Sequence, residues 1–159
     1  MEHSFEAFVA ADGARLGRLC HQLTGSHDDA LDLAQDVLTR VWQRWSRVAA
    51  AEHPYAYVRR IAVNMHLNSI RKRRPTPSDV EPVDRAVDPD LDRRPDDELW
   101  HALHRLPARQ RAALVLRYYE DLPDEETAAV LGCRRATVRS LVARGLETLR
   151  TFELDGSRT

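Results

Sequence analysis

Apolar residues recur along this chain at intervals of three and four, and nowhere in sustained alternation. That spacing predicts helices and no strand. Phe5, Phe8, Val9, Leu16, Leu19 and Leu23 keep the helical period until Thr24-Gly25-Ser26 interrupts it. Ser26, with Asp29 three residues on, resembles a capping box opening a second helix. Its inner face would carry Ala30, Ala34, Val37, Val41, Trp45 and Val48. Pro54, suited to a first helical turn, opens a third helix through Val58, Ile61, Ala62, Met65 and Ile70. Three or four shorter helices are expected to begin near Asp97, Ala108, Asp124 and Arg135. No internal repeat is visible. The fold class is all-α.

Composition divides this helical series in two. The 159 residues are 43% hydrophobic, with 24 basic against 25 acidic groups, which suits globular structure and either one domain or two small ones. Residues 1–74 carry a net charge of +3, residues 75–99 of −6 and residues 100–159 of +2. Five of the eight prolines fall between Pro75 and Pro95, inside the acidic stretch. So much proline and like charge cannot bury a core, so 75–95 reads as a linker between helical modules at 1–74 and 96–154. Extended, such a tether adds roughly 3 Å per residue, enough for the modules to reach sites tens of ångströms apart.

Several classes of function are disfavoured. The longest apolar run, Ala112-Ala113-Leu114-Val115-Leu116, is too short for a membrane span. The first residues show no secretory signal, and Cys20 and Cys133 are too few for a disulfide framework, so a cytoplasmic location is expected. Both cysteines read as small buried residues. His101 and His104 have a metal-like spacing, but no cysteine or carboxylate pattern completes a ligand set, and they fit a helix surface as well. With no glycine-rich phosphate loop or nucleophile elbow, the chain reads as non-enzymatic and free of cofactors.

The sharpest motif runs from Leu122 to Val142. A helix-turn-helix needs a small residue where its helices cross, supplied by Ala128. Four residues on it needs one that tolerates a left-handed turn, supplied by Gly132. Val138, Val142 and Leu149 provide the inner face of the second helix, while Arg139, Ser140 and Arg144 point outward with chemistry suited to base edges and phosphates. An ordinary helical hairpin with a solvated basic face is the plainer alternative. A second stretch, Pro54 to Arg74, holds six basic residues and no acidic one. Tyr55 and Tyr57 among those charges offer flat surfaces for bases beside cations for a backbone. A surface helix whose Arg71-Lys72-Arg73-Arg74 end complements its own dipole explains the same residues as well.

With these motifs in order, the chain resembles the extracytoplasmic-function branch of the sigma-70 family, the smallest bacterial RNA polymerase sigma factors. The resemblance covers about Phe5 to Phe152. Asp28-Asp29-Ala30-Leu31-Asp32-Leu33-Ala34-Gln35-Asp36 is similar to the family's signature for docking on the polymerase clamp. Val58-Arg59-Arg60-Ile61-Ala62-Val63-Asn64 is similar to its −10 recognition helix. The helix-turn-helix, preceded by Leu106 to Arg111 and Leu116 to Tyr119, is similar to its −35 reader.

The resemblance implies partners and roles. Core polymerase, through its clamp and flap, and promoter DNA would be bound, an anti-sigma factor is a further candidate partner, and no membrane insertion is expected. Asp32, Gln35 and Asp36 would meet the clamp. The −10 element would be held as melted strand by Tyr57, Arg59, Arg60, Ile61, Asn64, Arg71, Lys72, Arg73 and Arg74, with Asn64 reading an extruded base and Tyr57 stacking. The −35 element would be read as duplex by Ala136, Thr137, Arg139, Ser140, Ala143 and Arg144, with Arg117 on a phosphate. Three positions depart from the family pattern: Arg134 stands where Ser commonly caps the recognition helix, Leu141 where Arg or Gln is common, and Tyr57 where many members have Trp. These leave the promoter sequence open.

Two other readings compete. A stand-alone helix-turn-helix regulator would dimerise and bind DNA tightly by itself, against which the near-neutral charge (pI near 6.7) and the clamp-like motif argue. A degenerate sigma-like module kept only for protein binding would not need the basic and aromatic residues at DNA-facing positions.

Overall fold

The computed structural model describes residues 4–73 and 97–156, all of whose regular structure is helical. The acidic stretch expected to act as a linker, 75–95, lies outside the described residues, as does Arg74.

The first module holds four helices. α1 (Phe5–Thr24) begins at Ser4, whose Oγ accepts from the Ala7 amide at 3.1 Å, and ends at Gly25. Gly25 is left-handed (φ 75°) and donates its N–H to the His21 carbonyl, the usual glycine stop. α2 (His27–Gln43) opens on Ser26, whose Oγ accepts from the Asp29 amide at 3.3 Å. The second helix was expected to continue through Val48. Instead it breaks at Arg44 (φ −113°, ψ 24°), and a separate α3 covers Trp45–Ala50. The bend brings the Trp45 ring against Phe5 and Phe8, each with its centroid at 5.8 Å. α4 (Pro54–Lys72) carries proline in its first turn. α1, α2 and α4 enclose Leu16, Leu19, Leu23, Val37, Val41, Val58 and Val63, all essentially inaccessible to water. Burying each such side chain contributes about 1.5–3 kcal/mol.

The second module begins with α5 (Asp97–Arg105) and α6 (Ala108–Leu114). The chain then widens into a π-helical turn over Val115–Tyr119, in which the Glu120 amide bonds back five residues to the Val115 carbonyl. α7 (Asp124–Leu131) and α8 (Arg135–Gly156) follow; at 22 residues α8 is no short helix, contrary to expectation. Between them Gly132 takes the left-handed conformation (φ 66°), and both its amide and that of Cys133 bond to the Ala128 carbonyl. The expected helix-turn-helix is formed. Val138 is fully buried at its centre, with Val142 and Leu149 packed half-buried below it.

The modules lie against each other. α4 packs on α6 and α7, while α1 packs on α6 and the π turn.

Candidate polymerase- and nucleic-acid-binding faces

Three exposed faces carry the residues that the sequence singled out. On α2, burial of Ala30, Leu33, Val37 and Val41 turns the opposite face to solvent. Asp32, Gln35 and Asp36 are exposed there. Leu31, 50% exposed, and Trp42, 64% exposed, extend the same face at helical spacing, and sequence reasoning missed them. The apolar period had assigned large apolar residues to the interior, so an outward tryptophan had no signal of its own. The face combines acidic groups with a largely exposed aromatic ring.

α4 presents a second face. Arg60 is exposed, Tyr57, Ile61 and Asn64 are half-buried, and Arg71, Lys72 and Arg73 are exposed at the end of the helix. Tyr57, Arg60, Ile61, Asn64 and Arg71 stand at i, i+3, i+4, i+7 and i+14 and share a side of the helix. Arg59 does not join them. It is only 8% exposed, its Nε has no hydrogen-bond partner among the described residues, and its guanidinium lies 5.7 Å from the Tyr55 ring centre. Tyr55 is also buried. Its hydroxyl donates to Glu120 Oε1 at 3.0 Å and the Arg15 guanidinium lies 3.8 Å above its ring. Burial and the neighbouring Glu120 carboxylate both push the Tyr55 hydroxyl pKa up. Tyr55 is therefore a packing group here rather than an open stacking surface.

The third face lies on α8. Ala136, Arg139, Ser140, Ala143 and Arg144 are exposed along one side, and Thr137 is half-buried beside them. Leu141 turns inward and packs half-buried on the core. Arg134 occupies the residue before the helix, its carbonyl accepting from the Val138 amide at 3.1 Å. Arg117 is more engaged than a free phosphate contact would be. Its Nη1 donates to the Leu122 carbonyl at 2.6 Å and its Nε faces Asp124 Oδ1 at 2.9 Å. Asp124 also receives Arg139 at 3.3 Å, so one carboxylate ties the π turn to α8.

Among the described residues, no group of three histidine, cysteine or acidic side chains converges on a metal position. His104 instead places its two ring nitrogens 2.8 Å from the Trp100 and Gln22 carbonyl oxygens, and burial pushes the Cys20 thiol up to about 12. Cys133 is half-buried rather than buried. No described helix is long and apolar enough to cross a membrane.

Comparison with known proteins agrees with this geometry. Residues 8–76 match the model of sigma-70 region 2, and residues 96–149 that of sigma-70 region 4. The chain is 35% identical over 149 residues to the RNA polymerase sigma-E factor of Streptomyces avermitilis, covering 92% of this chain and 83% of that one. It is 32% identical to the ECF RNA polymerase sigma factor SigE of Mycolicibacterium smegmatis, covering 94% of this chain and 61% of that one. In fold it is similar to the sigma factor RpoE of Bartonella quintana, solved in complex with the anti-sigma factor NepR: TM-score 0.70 at 23% identity, over 93% of this chain and 95% of that one. With both regions matched in order along a relative of nearly its own length, the chain belongs to the sigma-70 family as an extracytoplasmic-function sigma factor, a subunit that directs RNA polymerase to promoters.

Proposed function

We propose that the three faces divide the work of promoter recognition. The outward face of α2, through Asp32, Gln35 and Asp36, docks on the clamp of core polymerase. The basic side of α4 holds the −10 element as a separated strand: Asn64 reads an extruded base, Tyr57 stacks, and Arg60, Arg71, Lys72 and Arg73 follow the backbone. α8 enters the major groove at −35, where Arg139 and Arg144 have the geometry for base edges and phosphates. The modules are residues 1–74 and 96–154, joined by 75–95. The observation that carries this reading is the segregation of faces: acidic and aromatic on α2, basic on α4 and α8.

The chain acts without catalysis of its own, in the cytoplasm where polymerase works. Its overall charge, −1, suits a subunit that meets DNA only on polymerase, since phosphate neutralisation supplies most non-specific affinity. Two modules on one scaffold gain their affinity by effective concentration instead. A protein antagonist of the kind bound to the Bartonella quintana factor is a fitting regulator. Run-off transcription with purified core polymerase on genomic fragments is the test. Discrete transcripts that depend on this chain support the reading, and their absence across a genomic library would overturn it.

A further inference from the structure

The first turn of α4 opens onto a cleft of about 640 Å³. Phe8, Trp45 and the Tyr55 ring give it apolar walls, and Arg59 lines it beside them. The lining belongs to the first module, apart from Glu126 of α7 at one edge. Pro54 starts the helix without an amide hydrogen, the His53 side chain provides no cap, and no acidic residue stands in the first turn. The positive end of a 19-residue helix dipole therefore meets the cleft with no carboxylate of its own turn to balance it. Arg59 adds a second positive group. It is 8% exposed, its Nε has no hydrogen-bond partner, and none of the ion pairs among the described residues includes it. Arg15 of α1, by contrast, already pairs with Glu120 at 3.2 Å. Native folds rarely leave a buried guanidinium short of a hydrogen bond, because desolvation without a partner is costly.

We propose that this cleft binds a small phosphorylated ligand of the nucleoside-monophosphate class, with its phosphate on Arg59 at the start of α4 and its base against the aromatic walls. The amides and dipole of a helix start favour a phosphate, and a guanidinium fork matches its oxygens. Two carboxylates, Asp12 of α1 and Glu126, also border the cleft. They oppose a bare inorganic anion. They suit a ligand whose far end donates hydrogen bonds, as ribose hydroxyls and the amino group of a base do. A planar base suits the ring-lined walls, and the volume falls within the range of about 300–1,000 Å³ usual for small-molecule sites. The cleft is also separate from the −10 face. At about 100° per residue, Arg59 lies about 40° around α4 from Tyr55 but about 140° from Asn64. The inference therefore does not depend on the assignment of α4 to −10. A DNA strand offers the same phosphate chemistry as a free nucleotide, and competition distinguishes the two sources.

The experiment titrates the free full-length chain with AMP, adenosine and inorganic phosphate, read by calorimetry and by proton–nitrogen NMR. AMP should bind. Adenosine and inorganic phosphate, each lacking half of the recognition, should bind at least about tenfold more weakly. Of the three tryptophans, Trp45 should show a shifted indole resonance with AMP, together with the Tyr55 and Ala56 amides, while Trp42 and Trp100 should not. Arg59→Met keeps an apolar stem without the charge and should weaken AMP about tenfold. Arg47→Ala, which removes an exposed cation of α3 outside the cleft, should leave AMP affinity unchanged. An excess of a single-stranded DNA oligonucleotide without a terminal phosphate should not displace AMP. Circular dichroism checks that each variant keeps its helices; if Arg59→Met loses them, the wild-type resonance pattern decides alone. The site would be overturned by an absence of AMP binding at millimolar concentration, or by adenosine or phosphate binding as tightly as AMP. Shifts confined to Arg60 and Asn64, equal losses in Arg47→Ala and Arg59→Met, or displacement by the oligonucleotide would overturn it as well.

Discussion

His104 caps a helix in the other half of the chain, its Nε2 2.8 Å from the Gln22 carbonyl oxygen while its Nδ1 lies 2.8 Å from that of Trp100. A neutral imidazole can donate to only one of them. An imidazolium would satisfy both, yet it would be buried beside the Arg111 guanidinium. Desolvation first, then Arg111, outweigh the two carbonyls and lower the pKa to about 4. His21, whose ring stacks on Trp100, is lowered as well, by burial and by His27.

A pH dependence follows with a definite sign. The unfolded chain protonates His104 near 6.5, whereas the folded chain resists protonation until about 4. Between these values the unfolded state binds more protons, so stability falls as pH falls through the window, and this group contributes no slope above it. The full loss is on the order of 3 kcal/mol. Denaturant titrations at pH 7, 5.5 and 4 measure it. His104→Gln should be less stable at pH 7 but should lose much of the slope; an unaltered slope would assign the titration elsewhere.

Gly25 and Gly132 share the left-handed conformation, at φ 75° and φ 66°, but differ in surroundings. A Cβ on Gly132 meets nothing within 4 Å, whereas one on Gly25 strikes the His104 ring. Gly132→Ala should therefore cost only the backbone strain, about 1–2 kcal/mol. Gly25→Ala adds displacement of His104 and loss of the Gln22 contact, and should cost clearly more. Thermal melts of the two variants rank them. Equal losses would mean that the His104 contact contributes nothing to stability.

The features that were legible in the sequence are the local ones. Ser26 and Asp29 marked the start of α2, and Ala128 and Gly132 marked the helix-turn-helix, because capping and left-handed turns depend on residues three to five apart. The outward faces of α2 and α8 followed from the helical period once the buried side was known. The contact between modules was not legible. Arg15 and Glu120 are 105 residues apart, Tyr55 and Glu120 65, and Gln22 and His104 82, and no periodicity encodes such pairings. Arg59 shows the consequence: its place in a basic stretch marked it as a strand contact, while packing of α7 on α4 accompanies its burial. The break at Arg44 was equally hidden, since the apolar period runs through it and only the packing of Trp45 on Phe5 and Phe8 gives it a reason.

Docking on polymerase should depend more on Trp42 than on any single charge beside it. Exposed acidic groups contribute little individually in water, whereas an aromatic ring buried on binding commonly forms a hot spot of about 2 kcal/mol or more, roughly a 30-fold change in affinity. Trp42→Ala should weaken capture of core enzyme by about that factor, and Gln35→Ala with Asp36→Ala by less. All three residues are exposed, so stability should change by under about 0.5 kcal/mol. Unchanged capture by Trp42→Ala would remove it from the docking face.

The two DNA-reading faces should fail in different ways. Arg144 and Arg139 lie exposed on α8, and Arg139, 68% exposed, gives up only a solvated pair with Asp124 when it turns to DNA. Loss of a base-edge pair in the major groove costs about 1–3 kcal/mol, as does loss of a base stacked on an aromatic ring. Arg144→Ala should therefore reduce promoter selection on duplex templates and on templates carrying a pre-opened bubble alike, because −35 is duplex in both. Asn64→Ala should act only at −10, and a bubble should rescue it in part, since the missing contact is to the extruded base itself. Arg71→Ala, exposed at the end of α4, should weaken binding almost regardless of sequence and lower its salt dependence. Run-off transcription from duplex and bubble templates with single-base changes at −35 and −10 separates these patterns. An Asn64→Ala chain that alters −35 preference, or leaves −10 preference untouched, would show that α4 and α8 do not divide the promoter in this way.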